Sequence, residues 1–71
     1  MIKIGIKGRI IKGDSTGSYV LIQDDSANTG GYLVLVAEDI EFKKGFDDWV
    51  EDFKNLELYF EESNWEINWL E

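Results

Sequence analysis

Apolar residues recur at every second position through much of this chain. Ile2, Ile4, Ile6 and Ile10 alternate with Lys3, Lys7 and Arg9, the period of a strand with one buried face. Gly13-Asp14-Ser15-Thr16-Gly17-Ser18 is turn chemistry, and Tyr19 to Gln23 reads as a second strand. A longer turn rich in Asx and glycine runs from Asp24 to Gly31, and Tyr32 to Ala37 is a third strand. The spacing predicts a meander of three antiparallel strands. In the second and third strands apolar residues occupy both faces: Tyr19 and Leu21 oppose Val20 and Ile22, and Leu33 and Leu35 oppose Tyr32, Val34 and Val36. Such runs require burial on both sides. One helix covers one face, so the other is expected to meet a curled sheet edge, a twin subunit in a homodimer, or a partner.

Residues 46–63 admit two readings. As a single helix from Asp48, the residues Trp49, Val50, Phe53, Leu56 and Phe60 form one stripe, with Asp48 and Glu51 at capping-box spacing. In two pieces, Phe46 to Glu51 is a strand, Asp52 caps a helix from Phe53 to about Ser63, and Asn64 ends it. The second reading is preferred. Trp65-Glu66-Ile67-Asn68-Trp69 then alternates as a last strand. The expected fold is α+β: one domain over residues 1–71, an antiparallel meander sheet of about five strands, one helix between the last two. Phe53, Leu56, Phe60, Trp65, Ile67 and Trp69 are spaced for the core.

Composition narrows the chemistry. The chain has neither Cys nor His, so disulfides, zinc-thiolate sites and imidazole ligands are excluded. Stability has to come from packing, and the 14% aromatic content supplies the area. The formal charge is −8, unevenly placed. Residues 1–13 hold four bases and no acid, whereas Phe46 to Glu71 hold nine acids, one lysine, all three Trp and seven of the ten aromatics. In so small a fold the basic first strand is expected beside an acidic neighbour. The acidity keeps a small protein soluble, disfavours phosphate and anionic membranes, and suits a basic protein partner. A hydrophobic fraction of 44% is too high for a disordered acidic tail. No apolar run approaches a membrane span, and the alternation from Met1 to Ile6 does not resemble a signal peptide, so a cytoplasmic protein is expected.

Individual motifs carry little chemistry. Gly13-Asp14-Ser15-Thr16-Gly17 fits the nucleophile-elbow pattern, but a strand follows it and no His base exists. Asp24, Ser26 and Asn28 alternate as in a calcium loop, yet Leu35 stands where the bidentate Glu belongs. Asp47/Asp48 and Glu61/Glu62 are paired carboxylates without an accompanying nucleophile or base. A non-enzymatic protein without cofactor or metal is expected. In a strand, Asp47, Trp49 and Glu51 share a face, an indole flanked by carboxylates that suits a Lys/Arg-rich surface. Tyr59 lies off the helix's apolar stripe and is expected to be exposed. Direct nucleic-acid binding is not expected, because no basic patch is interleaved with aromatics.

The span from Thr29-Gly30-Gly31-Tyr32 through Asp48-Trp49-Val50-Glu51, Tyr59-Phe60-Glu61-Glu62-Ser63 and Trp65-Glu66-Ile67-Asn68-Trp69 resembles small acidic immunity proteins of bacterial polymorphic and contact-dependent toxin systems. The likeness is one of texture over the last 43 residues of the chain, and it favours the two-piece reading of residues 46–63. It implies a protein that binds and blocks a cognate toxin domain, and it carries over no individual residue. The expected contact residues are Asp47, Asp48, Trp49, Glu51, Asp52, Glu57 and Tyr59. Two other readings use the same features: a phage or mobile-element inhibitor that mimics DNA charge to block a host nuclease, and a structural homodimer.

Overall fold

A computed structural model describes residues 1–71. The alternating segments form strands β1 (Gly8–Lys12), β2 (Tyr19–Asp25), β3 (Gly31–Ala37) and β4 (Gly45–Val50), followed by helix α1 (Phe53–Glu62) and strand β5 (Glu66–Trp69). They make one sheet in the order β4-β3-β2-β1-β5, antiparallel at every step. The fold is therefore α+β, with one helix between the last two strands. β4 and β5 run in the same direction at opposite edges, and α1 carries the chain between them. No helix is long and apolar enough to cross a membrane.

The register places Val20 opposite Val36 and Ile22 opposite Val34, with Ile10 opposite Ile67. Ile10, Val20, Ile22, Val34 and Val36 thus share the face that Leu56 of α1 seals, and all six are buried. Tyr32, Val50, Phe60, Trp65, Ile67 and Trp69 pack around them, half-buried. Phe53, expected in the core, is 43% exposed and reaches only the edge of the Tyr32 ring, 6.2 Å away. Its place at the first helical position puts it at the rim.

Both helix ends are closed by residues legible in the sequence. Asp52 accepts from the Asn55 backbone N–H at 2.9 Å, an N-cap that satisfies one of the free donors of the first turn. At the other end Asn64 takes a left-handed conformation (φ 55°). Its N–H donates to Glu61 O at 3.0 Å, and Trp65 N–H donates to Phe60 O at 3.2 Å. This is the Schellman arrangement, completed by the edge-on contact of the Trp65 and Phe60 rings at 5.0 Å. The β1–β2 turn docks on this end. Asp14 N–H donates to Ser63 O at 2.9 Å, and the Trp65 indole donates to Asp14 O at 2.7 Å. Gly13 (φ +102°) is pressed so close that a Cβ there would meet the carbonyl oxygens of Ser63 and Asn64.

The expected extent of the first strand is corrected. The first strand does not run from Ile2. Gly5 sits at φ +78°, which breaks the extended backbone, so pairing as a strand begins at Gly8 and Ile4 is left exposed. Ile11 falls at an irregularity between the Ile10 and Lys12 pairs with β5 and points to solvent. The basic segment does meet acids: Lys12 lies 4.0 Å from Glu66 across the β1–β5 pair, and Lys3 pairs with Glu71. On the second sheet face Tyr19, Leu21, Leu33 and Leu35 are half-buried. The β3–β4 loop folds over one corner, where the Lys7 ammonium donates to Ile40 O at 2.8 Å and sits 5.6 Å from the Phe42 ring.

With only 10 of 71 residues buried, the core has little redundancy. Leu56→Ala is expected to cost about 3 kcal/mol, read from the urea midpoint. That is a large share of the roughly 4–10 kcal/mol that a domain this size holds.

Candidate functional site

The acidic, aromatic third of the sequence is delivered to β4, α1 and the joint between them. Pairing of Asp47 with Leu35 and of Trp49 with Leu33 puts both on the second sheet face, whereas Asp48, opposite Val34, lies on the helix side. There Asp48 accepts a 2.6 Å hydrogen bond from the Tyr59 hydroxyl. Burial, then the bond and charge of Asp48, push the Tyr59 phenol well above the usual tyrosine range. Its ring leans on Trp65, 5.5 Å between centroids. Tyr59 is therefore half-buried rather than exposed, because α1 turns that side toward β4 and Asp48 supplies the polar partner.

Trp49 is 49% exposed but not loose. Its indole donates to Thr29 Oγ1 at 2.8 Å, and that hydroxyl lies 2.9 Å from Asp25 Oδ2. The β2–β3 turn thus fixes the orientation of an exposed indole. Sequence spacing gives no sign of Thr29's part, since the partners are twenty positions apart.

The other expected contact residues are dispersed. Asp52 is exposed, but its carboxylate is engaged as the helix cap, and the Asn55 N–H holds it below the usual carboxylate range. Glu51 follows β4 and is free at the surface. Trp49, Glu51, Asn55, Leu58, Tyr59 and Glu62 line a shallow cleft of about 370 Å³. Glu57 borders a broader groove of about 1360 Å³ between α1 and β5, floored by Phe60, Trp65 and Trp69. Trp49, Glu51 and Tyr59 therefore come together, Asp48 lies beneath Tyr59, Asp47 stands beside Trp49 on the second sheet face, and Glu57 stands apart.

The calcium-like turn is held by its own bonds. Asp24 accepts from the Ser26 N–H at 2.9 Å, and Asn28 donates to Asp25 at 3.2 Å. No group of three or more acidic side chains is arranged to hold a metal ion. Ion pairs are confined to Lys3–Glu71, Lys12–Glu66 and Lys43–Glu41. None involves Asp47, Asp48, Glu51, Asp52, Glu57, Glu61 or Glu62. No protein-family model, curated protein or solved structure matches the chain.

Two pH dependences follow from this geometry. A raised phenol in the folded state gives stability that is complete below the unfolded tyrosine value, near 10, and is lost as pH rises past it. Tyr59→Phe should flatten that alkaline loss in urea titrations at stepped pH, and should delete the phenol that ionises above the usual range in a spectroscopic titration. For Asp52 the sign is opposite. The advantage over Asp52→Ala, a few degrees of Tm, is complete above pH about 4 and shrinks as pH falls below it.

Proposed function

We propose that this chain is a non-enzymatic binding protein that captures and blocks a basic protein domain, in the manner of a toxin-immunity inhibitor. The observation that carries the reading is the one-sided use of charge. The four bases of residues 1–13 are engaged within the molecule: Lys3 with Glu71, Lys7 with the Ile40 carbonyl and Phe42, Arg9 over the Tyr19 ring, Lys12 with Glu66. The seven carboxylates on and around β4 and α1 have no ion-pair partner, and Lys54 is the one base among residues 46–71. A surface of one sign raises association rates with an oppositely charged partner and fixes its approach. Asp47, Trp49 and Glu51 form the proposed centre of contact, flanked by Asp48, Asp52 and Tyr59, with Glu57 at the neighbouring groove of α1. Trp49 supplies a rigid anchor whose ordering cost has been met before binding.

The direct test is binding to the purified product of the adjacent gene, expected to be a basic toxin domain. Asp47→Lys with Glu51→Lys should weaken binding at least about tenfold, chiefly through slower association, with the difference narrowing at high salt. These positions are chosen because reversing Asp48 or Asp52 would also break the Tyr59 bond or the helix cap. An adjacent gene without a toxin domain, together with no protection of cells that express one, would sink the proposal. Competition with DNA for several unrelated basic nucleases would move the reading to DNA-charge mimicry.

A further inference from the structure

β4 is an open sheet edge. The Glu38 N–H donates to Lys44 O at 3.0 Å, which sets the phase of the β3–β4 ladder. Hydrogen bonding alternates along an antiparallel pair, so Lys44, Phe46, Asp48 and Val50 turn their backbone groups to β3. The N–H and C=O of Gly45, Asp47 and Trp49 therefore point out of the sheet. No backbone bond outside the ladder reaches them, and the side-chain bonds at β4 involve only the Trp49 indole and the Asp48 carboxylate.

An edge of this kind pairs readily with another strand unless it is guarded. β5, at the opposite edge, is guarded by its four-residue length and the bulge in its pairing with β1. β4 has six consecutive residues in unbroken register with β3, and within it no proline and no lysine. Its guard is Asp47 and Asp48. A second copy laid antiparallel on β4 would bring like charges opposite one another, which opposes self-pairing. A cationic strand meets the reverse: carboxylates on both faces, and Phe46 and Trp49, each about half exposed, beside them on opposite faces.

We infer that β4 takes an extended lysine- or arginine-bearing segment of the basic partner as a sixth strand of the sheet. The inference rests on the basic-partner reading above and assigns its binding mode. Backbone groups of Gly45, Asp47 and Trp49 hold the segment, and on each face of it one cationic and one apolar side chain meet an acid and a ring, Asp47 with Trp49 on one face and Asp48 with Phe46 on the other.

The probe is a short synthetic peptide repeating Lys-Lys-Val-Val, which presents lysine and valine on both faces of a strand, added to the intact chain and followed by amide hydrogen exchange. Exchange at Gly45, Asp47 and Trp49 is expected to slow at least about tenfold, with β5 amides unchanged. The same peptide N-methylated at alternate residues on its pairing side should bind at least about tenfold more weakly, a control that leaves the protein unaltered. Asp47→Pro should do the same, because the N–H it removes belongs to the open edge and not to the β3 ladder. Protection at the α1–β5 groove instead, equal binding of the methylated peptide, no binding of the peptide, or a dimer joined through β4 in sedimentation would each overturn the edge assignment. The basic-partner reading would survive those outcomes if the adjacent gene's product still bound.

Discussion

Leu56 closes a core of five aliphatic side chains drawn from three strands, and the architecture follows from the need to place it there. The strands before it form a meander whose last member, β4, lies at one edge, while the strand after it pairs at the other. α1 has to pass over the sheet between them, and in passing it covers the face on which Ile10, Val20, Ile22, Val34 and Val36 are gathered. The sealed volume is small. Rings from the C-terminal third enlarge it: Phe60 stands between Trp65 at 5.0 Å and Trp69 at 6.4 Å. Buried aromatic area of this kind takes the place of the cross-links that a chain without Cys or His cannot form.

The same economy governs the polar groups. Bonds from the second half of α1 and its C-terminal end tie the helix to the sheet and its turns: the Tyr59 hydroxyl to Asp48, Asp14 N–H to Ser63 O, and the Trp65 indole to Asp14 O. No buried side-chain nitrogen or oxygen lacks a partner. Carboxylates that serve structure accept from backbone or side-chain donors, and the cations of residues 1–13 sit on rings, carbonyls or acids of other segments. Acidic residues are left in excess on the β4–α1 side because four of the seven bases lie in the sequence before β2 and are engaged there.

Much of this was legible in the sequence. The apolar runs at 19–23 and 32–37 as strands, the Asp52 cap, and Asn64 as helix stop all act over a few positions, and each took its expected place. Local pattern misled where a single backbone angle overrides it: the isoleucine alternation runs through Gly5, but a left-handed φ there cannot continue a strand. Tyr59 was misplaced for another reason. A helix wheel measures distance from the apolar stripe, and it cannot show that a carboxylate on a neighbouring strand will make a flanking position favourable to bury. Which side of β4 each acid takes follows from alternation once the strand is known, but the use of Asp48 inside and the fixing of Trp49 by Thr29 depend on contacts between distant segments.

The β1–β5 pair carries a kinetic consequence. Each of the other strand pairings closes a short loop, whereas this one joins residue 8 to residue 69 and must overcome the closure entropy of nearly the whole chain. It is the seam expected to close last in folding and to part first in partial opening. That seam lies across the full width of the sheet from β4. Transient fraying there would leave β2, β3 and β4 paired, so the acidic edge would outlast the first loss of structure.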